Sequence, residues 1–390
     1  MQRNRPIYLD NQATTPCDPR VVAAMRPYFE EMFGNPHSVE HALGREAEAA
    51  VARARDEVAA LIGASAREIV FTSGATESNN LAIKGAARFA GRQGSPRRRV
   101  ITLATEHKCV LEATRDLAAE GFEPVFLPVG ADGRLDPEAL GAALAVPTLL
   151  VSVMAANNET GVLQDIATIA ACAHDAGALF HTDAAQAAGK IPLDVAEQGI
   201  DLLSISGHKL YGPKGVGALY VRHRPRVRLT PLFSGGGQER GLRSGTLPAP
   251  LIVGFGEACR LARLELADEA ERLAALRDRL LSRLAAAVPG LRVNGSRAHR
   301  LPGNLNLAFP GMRAETLLAA LPDLCLSTGS ACSSAAVEPS YVLRAMGIPP
   351  DIAAGSLRIG IGRFTSAAEI DTAAAMLIAA LVRRSEHQNA

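Results

Sequence analysis

Lys209 and Asp183 are the residues whose types and spacing most directly suggest chemistry. Lys209 follows an apolar run, 202–205, with the composition of a β-strand, and Asp183 ends an earlier run of the same kind. If both strands belong to one sheet, the amine and the carboxylate meet at the same edge. A lysine that forms a Schiff base with pyridoxal phosphate (PLP) needs an acidic partner for the pyridine nitrogen. The pair therefore indicates a PLP site.

Both residues also have a purely structural interpretation. Lys209 could be a solvated loop lysine, and Asp183 could cap a helix. That interpretation weakens because the chain has only five lysines, and because Ser206 and His208 place further polar groups beside this one.

A second candidate segment, 71–78, has the pattern of a strand, a glycine turn and the start of a helix over 75–90. Backbone N–H groups at a helix N-terminus, with the Thr76 hydroxyl beside them, form an anion site suited to a phosphate. Ser73 or Thr76 is equally compatible with a simple helix cap. On this segment alone the two interpretations stay open.

His107 follows a predicted strand over 100–104. Taken alone, a histidine at such a place is more often structural than catalytic. Its position at the same sheet edge as Asp183 and Lys209 favours a functional role, because an imidazole can stack on a planar cofactor and transfer protons near neutral pH.

Cys332 lies within a run of small residues, 327–336. This composition argues against a packed core and predicts a mobile loop that carries an exposed thiol, the setting in which cysteines are reactive. Cys325 lies in an apolar run and has the pattern of a buried, inert cysteine.

The elements that position these residues alternate between short β-rich runs and helical patterns. The predicted strands are 69–71, 100–103, 125–127, 149–153, 178–181, 202–205 and 218–221. Several are continuously apolar, as expected for strands covered by helices on both faces. The pattern predicts an α/β fold with a mainly parallel seven-stranded sheet, and the candidate residues fall at the carboxyl ends of its strands.

The later part of the chain has a different pattern. A long Ala/Leu/Arg/Glu helix over 257–288 precedes a smaller α/β segment that ends in a helix near 367–384. We therefore predict a large domain over 16–256, and a small domain of 1–15 and 257–390 that carries the cysteine loop at about 326–338. The basic, glycine-rich segment 222–245 is predicted to be a loop on the rim.

Composition narrows the possible classes of function. A chain of 390 residues with 48% hydrophobic content can bury a large core, and a net charge of +1 gives no support for nucleic-acid binding by bulk electrostatics. The six cysteines contain no C-x-x-C pair, which argues against a disulfide framework and a zinc site. With no signal-peptide pattern and no apolar stretch of ~18 residues, we expect a cytoplasmic protein with reduced thiols.

Many stretches of the chain resemble the cysteine desulfurases of the NifS/IscS type, which are fold-type I PLP enzymes related to the class V aminotransferases. The similarity runs almost end to end through LDNQATTPCDPRV, FGNPHS, EIVFTSGATESNNLAIKG, TEHKCVLE, NNETGVLQDI, HTDAAQAAGK, SGHKLYGPKGVGALYV, GGGQERGLRSGTLP, STGSACSSA, EPSYVLRAMG and SLRIGIGRFT. The GSAC sequence resembles the long-loop group of that family.

The resemblance implies roles for particular residues. Lys209 would hold PLP through a Schiff base and move the Cα proton, His107 would stack on the ring and act as acid or base, and Cys332 would be the nucleophile that forms a persulfide. No metal site is implied. The other implied contacts are Asp183 at the pyridinium nitrogen, Gln186 at the ring hydroxyl, Asn158 near the ring, Ala75, Thr76, Ser206, His208 and the partner subunit's Thr246 at the phosphate, and Asn35 and Arg358 at the substrate carboxylate.

The implied activity is conversion of L-cysteine to L-alanine by a homodimer, with the sulfur moving to Cys332. An acceptor protein, either an iron–sulfur scaffold or a tRNA-thiolation carrier, would then take the sulfur, with no direct contact to nucleic acid or membrane. Selenocysteine lyase and class V aminotransferase are rival activities, and transamination is the weaker rival because it has no use for the thiol. An inactive sulfur-relay or scaffold subunit is the non-enzymatic alternative.

Two features depart from the family pattern. Cys109 stands where a small apolar residue is commoner, so a second thiol is expected close to the cofactor. The chain ends at Ala390, soon after its last predicted helix. Housekeeping members carry a further tail that docks the iron–sulfur scaffold, so the usual scaffold partner is in question.

Overall fold

The structure, a computed structural model, describes residues 6–309, 311–329 and 340–388. Its strands are β1 (Ile7–Tyr8), β2 (Ile69–Thr72), β3 (Arg99–Leu103), β4 (Glu123–Leu127), β5 (Thr148–Ser152), β6 (Leu179–Asp183), β7 (Leu202–Ser206), β8 (Gly217–Val221), β9 (Arg292–Val293), β10 (Asn304–Ala308), β11 (Leu324–Cys325) and β12 (Ser356–Gly360). Its α-helices are α1 (Pro19–Met25), α2 (Pro27–Glu30), α3 (Ala42–Leu61), α4 (Ala75–Arg92), α5 (Lys108–Asp116), α6 (Pro137–Leu144), α7 (Ile166–Asp175), α8 (Ala249–Ala287), α9 (Ala314–Ala319), α10 (Tyr341–Ala345), α11 (Pro350–Ala354) and α12 (Ala367–Gln388).

The large sheet has seven strands in the order β2-β8-β7-β6-β5-β3-β4. The neighbours from β7 to β4 are parallel, whereas β8 runs antiparallel to both β7 and β2. Only residues 207–216 join β7 to β8, and a connection of that length suits an antiparallel pair better than a helical crossover. All seven predicted strands are present, so the mainly parallel seven-stranded sheet is confirmed.

Helices cover both faces of this sheet. Along β2, Ile69 and Phe71 belong to the hydrophobic cluster beneath α3 and α8, while Val70 between them belongs to the cluster under α4. Alternate residues of a strand point to opposite faces, so both faces need apolar side chains. This explains the continuously apolar runs in the sequence.

The C-terminal part of the chain builds a second core. β12, β10 and β9 form an antiparallel sheet, and β1 near the N-terminus pairs in parallel with β11. The long helix α8 serves both cores: Phe255 packs in the large-sheet cluster, and Leu273–Leu284 contribute to the small-sheet cluster. The division into domains at 16–256 stays a prediction.

The rim segment between β8 and α8 contains no strand and one short 3₁₀ turn, Glu239–Gly241. Glu239 fixes this segment to the large sheet because its buried carboxylate accepts hydrogen bonds from the Arg55 guanidinium and from the backbone N–H of Phe71. The segment is therefore a loop, as predicted, and the buried Glu239 carboxylate attaches it to the large sheet.

The part of the chain that the structure describes contains neither a membrane-spanning helix nor a cluster of metal ligands. No helix there is long and apolar enough to cross a membrane. No group of three or more potential histidine, cysteine or carboxylate ligands is arranged for a metal ion. The five cysteines in this part are all free, and Cys325 is half-buried, which is less enclosed than its sequence pattern suggested.

Candidate active site

A cavity of about 390 Å³ lies at the carboxyl ends of β2, β3, β6 and β7. This is the edge at which ligands bind in open α/β sheets. The lining residues are Gln12, Ala13, Ser73, Gly74, Ala75, Thr76, His107, Cys109, Met154, Ala156, Asn158, Asp183, Ala185, Gln186, Ser206, His208, Lys209, Lys214, Gly215 and Arg358.

Lys209 ends the 3₁₀ turn that follows β7. Its Nζ donates to the carbonyl oxygens of Gln12 and Ala13, at 2.5 and 2.7 Å. The N-terminal segment therefore holds the amine at the cavity wall. Sequence reasoning assigned no role to Gln12 or Ala13, although both lie in the first matching stretch, LDNQATTP.

Asp183 is the last residue of β6 and is only 5% exposed. Its carboxylate accepts hydrogen bonds from Asn79 Nδ2 at 2.7 Å and from the backbone N–H of Ala185 at 2.9 Å. These two donors fix the carboxylate beside the cavity that Lys209 also lines. The predicted amine and carboxylate thus share one site.

The predicted phosphate site is the N-terminus of α4. Gly74 precedes this 18-residue helix with a φ of 148°, a value that favours glycine, and leads directly into Ala75 and Thr76. Ser206 lies opposite, since a Cβ on Gly74 would stand 3.8 Å from its hydroxyl oxygen. The helix terminus and hydroxyls form an anion site of the predicted kind.

Two further basic residues face this end of the cavity. His208 hydrogen-bonds through Nδ1 with the Thr14 hydroxyl at 3.0 Å. Burial, followed by the charges of Lys209 and Lys214, lowers the pKa of His208 to about 4. His208 is therefore neutral at pH 7. Lys214 also lines the cavity, and sequence reasoning missed it although the chain has few lysines.

His107 caps the N-terminus of α5 through its Nδ1. Burial is the main influence on its pKa and lowers it, while the carboxylate of Asp183 acts in the opposite direction and Lys209 adds to the lowering. The imidazole therefore favours the neutral state. Cys109, two residues on, also lines the cavity, so the expected second thiol is present in the site.

Arg358 reaches the cavity from β12 of the small sheet and is only 1% exposed. Its Nη2 pairs with the Asp10 carboxylate at 2.7 Å, and its Nη1 donates to the backbone carbonyl of Asn158 at 3.2 Å. Arg358 Nε, Asn158 Oδ1 and Gln12 Oε1 are buried and find no hydrogen-bond partner among the described residues. These three unpaired polar atoms belong to residues that line the cavity.

Two predicted residues that the structure describes are not among those that line the cavity. Asn35 is exposed, and its side-chain oxygen accepts from the backbone N–H of His37. Thr246 is also exposed; its role was expected in the partner subunit, which a single chain does not test. Cys332 lies outside the described residues. The roles of all three stay predictions.

Comparisons with known proteins fit the fold and the site. The family model "Aminotransferase class-V" matches residues 7–372. A cysteine desulfurase IscS of Anaeromyxobacter sp. is 58% identical over 94% of this chain and 90% of its own length, and a human cysteine desulfurase is 56% identical over 94% and 80%. A solved "NIFS-like protein" superposes with a TM-score of 0.88 at 37% identity, covering 97% of this chain and 99% of its own.

The chain belongs to the class V aminotransferase family and has the fold of the fold-type I PLP enzymes. Within that family its relatives include the cysteine desulfurases of the NifS/IscS type, which confirms the resemblance seen in the sequence.

PLP is the cofactor of this family, and the described cavity fits it. An amine for its aldehyde, a carboxylate for its ring nitrogen and a helix N-terminus for its phosphate all face one space.

Proposed function

We propose that the chain is a PLP-dependent cysteine desulfurase that converts L-cysteine to L-alanine and transfers the sulfur to Cys332 as a persulfide. The observation that carries this proposal is the single cavity shared by Lys209, Asp183 and Arg358. It combines an amine, its acidic counterpart and a guanidinium suited to an amino-acid carboxylate.

Different residues of the chain would bind the substrate, transfer the proton and hold the cofactor. The guanidinium of Arg358 binds the substrate carboxylate, with Asn35 as its proposed helper, and so orients the Cα–H bond. The Lys209 amine anchors the cofactor and moves the proton at Cα. Asp183 keeps a proton on the ring nitrogen, and the bound cofactor supplies an electron sink for the charge that develops at Cα.

The proposed remaining cofactor contacts follow the cavity wall. Gln186 donates to the backbone carbonyl of Gln12 at 2.9 Å and would contact the ring hydroxyl of the bound cofactor. Asn158 would lie beside the ring, and His107 would stack on it; both residues line the cavity. The phosphate ligands are Ala75, Thr76, Ser206 and His208, with the partner subunit's Thr246.

Sulfur capture is assigned to Cys332. Its thiolate attacks the substrate sulfur, the Cβ–S bond breaks, and the product leaves as alanine after Cβ gains a proton. A small-residue loop suits this step, because the same thiol must enter the site and afterwards present its sulfur to an acceptor. Transamination has no use for such a thiol, and selenocysteine lyase remains the rival activity.

Partners and location belong to the same proposal. L-Cysteine is the substrate, the enzyme is a cytoplasmic homodimer, and the sulfur goes to an iron–sulfur scaffold or a tRNA-thiolation carrier. The relatives named as cysteine desulfurases support the substrate.

Two variants test the activity separately from sulfur capture. Lys209→Ala should abolish alanine production, because it removes the lysine that follows β7, the strand paired with the Asp183 strand β6. Cys332→Ser should keep PLP and its absorption band but release no sulfide. Alanine formation by Lys209→Ala at near the wild-type rate, or sulfide release by Cys332→Ser, would contradict the proposal.

A further inference from the structure

The environment of His107 fixes which ring nitrogen carries its proton. Nδ1 lies 3.2 Å from the backbone N–H of Cys109, and 2.9 Å from Cys109 Sγ. A backbone N–H can only donate, so Nδ1 must present a lone pair. In the neutral ring the proton then resides on Nε2.

Asn79 determines how the Cys109 thiol is oriented. Its Nδ2 donates to the Asp183 carboxylate, which is an acceptor and so fixes the orientation of the amide. The same Nδ2 lies 3.2 Å from Cys109 Sγ and donates to it. The sulfur therefore accepts from Asn79, and its S–H is available to donate to His107 Nδ1.

The thiol keeps the proton that this arrangement requires. Burial is the main reason that the pKa of Cys109 is raised to about 12, and the Asp183 carboxylate raises it further. Asn79 and Thr76 oppose the shift through hydrogen bonds to the sulfur. Cys109 is thus a protonated donor at pH 7.

We propose that Cys109 is a positioning residue for His107: together with its own backbone N–H, its thiol holds the imidazole as the neutral Nε2–H tautomer. This inference deepens the proposed function and rests on it for the role of His107. An imidazolium needs a proton on Nδ1, where two donors already point. In this tautomer His107 presents Nε2–H as a hydrogen-bond donor, and its acid–base role stays a prediction.

The charged groups around the ring do not change when the thiol is removed. His107 faces Asp183, whose charge favours the imidazolium, and Lys209 and Lys108, whose charges oppose it. A Cys109→Ala variant keeps all of these and loses one donor to Nδ1. Cys109→Ser keeps a side-chain donor that can also accept from Asn79.

Nitrogen-15 NMR of the PLP-loaded enzyme, labelled at histidine, tests the assignment without measuring turnover. His107→Asn identifies the signals of His107. Wild type and Cys109→Ser should show an unprotonated Nδ1 and a protonated Nε2. In Cys109→Ala the pKa of His107 should rise by roughly half to one unit, the equivalent of one lost hydrogen bond.

Cys172→Ala is the matched control, because this half-buried thiol on α7 lies outside the cavity lining; it should leave the His107 titration unchanged. A protonated Nδ1 in the wild type, or an unchanged titration in Cys109→Ala, would overturn the inference. Alanine production by the wild type is measured in parallel. Its absence would refute the proposed function, whereas the NMR result would still decide the tautomer.

Discussion

Individual residues of the cavity differ in how far the sequence predicted them. Lys209, Asp183 and His107 have types that are rare or chemically specific, and each follows a strand-like run, so the pattern alone placed them at one edge. Lys214 and Gln12 had no such pattern. Their place in the cavity depends on how a loop and the N-terminal segment fold back over the sheet.

Arg358 offers a prediction about substrate binding. Replacing it with leucine should raise KM for cysteine by about ten- to a hundredfold, because a charge-assisted pair with the substrate carboxylate contributes on the order of 1.5–3 kcal/mol. Arg358→Lys keeps the charge but loses the fork, so it should recover only part of the affinity. Steady-state kinetics measure both, and an unchanged KM in Arg358→Leu would exclude the role.

Lys190 offers a prediction about stability and pH. It donates to Gln186 Oε1 at 3.1 Å, and burial lowers its pKa from 10.5 to about 7. Between these pH values the unfolded chain binds a proton that the folded protein does not, so this residue makes the free energy of unfolding rise with pH across that window.

Denaturant unfolding at several pH values from 7 to 10 compares Lys190→Met with the wild type. The variant should lose the rise in stability that this lysine causes. Lys84→Met is the control, since Lys84 pairs with Asp116 on the other side of the sheet. Parallel stability curves for Lys190→Met and the wild type would contradict the interpretation.

At the scale of elements, the strands were the most predictable. Their continuously apolar runs indicated strands buried on both faces, and all seven predicted strands are present in the structure. The sequence pattern predicted that the long helix begins at 257, whereas α8 begins at Ala249. The first turns of α8 are largely buried and lack the amphipathic pattern that would have marked them as helix. The backbone of α3 is close there: a Cβ on Gly256 would come within 2.6 Å of Ala54 Cα.

His181 joins three strands of the large sheet and supports an element-scale prediction. Its ring hydrogen-bonds with Ser152 of β5 at 2.8 Å and Ser204 of β7 at 3.1 Å. His181→Phe should lower the free energy of unfolding by about 1–3 kcal/mol for each hydroxyl left unpaired. Exposed His299, replaced in the same way, should cost much less.

Acid sensitivity gives the second readout for His181. Burial lowers the pKa of His181 from 6.5 to about 3. Between these pH values the unfolded chain binds a proton at His181 and the folded protein does not, so the free energy of unfolding falls as the pH drops from 6.5 toward 3. His181→Phe should lose this part of the acid sensitivity. If its stability fell with pH as steeply as that of the wild type, His181 would not be the titrating group.

At the scale of the whole molecule, the site needs both cores. Arg358 arrives from the small sheet, and Lys209 and Asp183 from the large one. Asn35 and Thr246 are exposed on this chain, in segments that contain several exposed hydrophobics, including Phe29, Phe33 and Phe233. Such a surface suits burial in a symmetric dimer.

Mixed dimers test the proposed exchange of Thr246. Thr246→Val should weaken PLP retention modestly in the homodimer. In heterodimers of Lys209→Ala and Thr246→Val chains, one site carries both defects and the other carries neither, so activity lost in the Lys209→Ala homodimer should partly return. The measurement is alanine production after mixing tagged chains, with sedimentation to establish size; an active monomer near 40.9 kDa would rule the arrangement out.

The sequence by itself determined the α/β class, the seven strands, the family and most of the cavity wall, because strand burial and the polar residues at strand ends leave local patterns. The tertiary structure decided what depends on distant contacts. It determined that β8 runs antiparallel to β7 and that the Lys209 amine donates to the Gln12 carbonyl. It also placed Asn79 of α4 where its amide donates to both Asp183 and Cys109. No local periodicity encodes these contacts, since they arise only when segments far apart in the chain exclude water together.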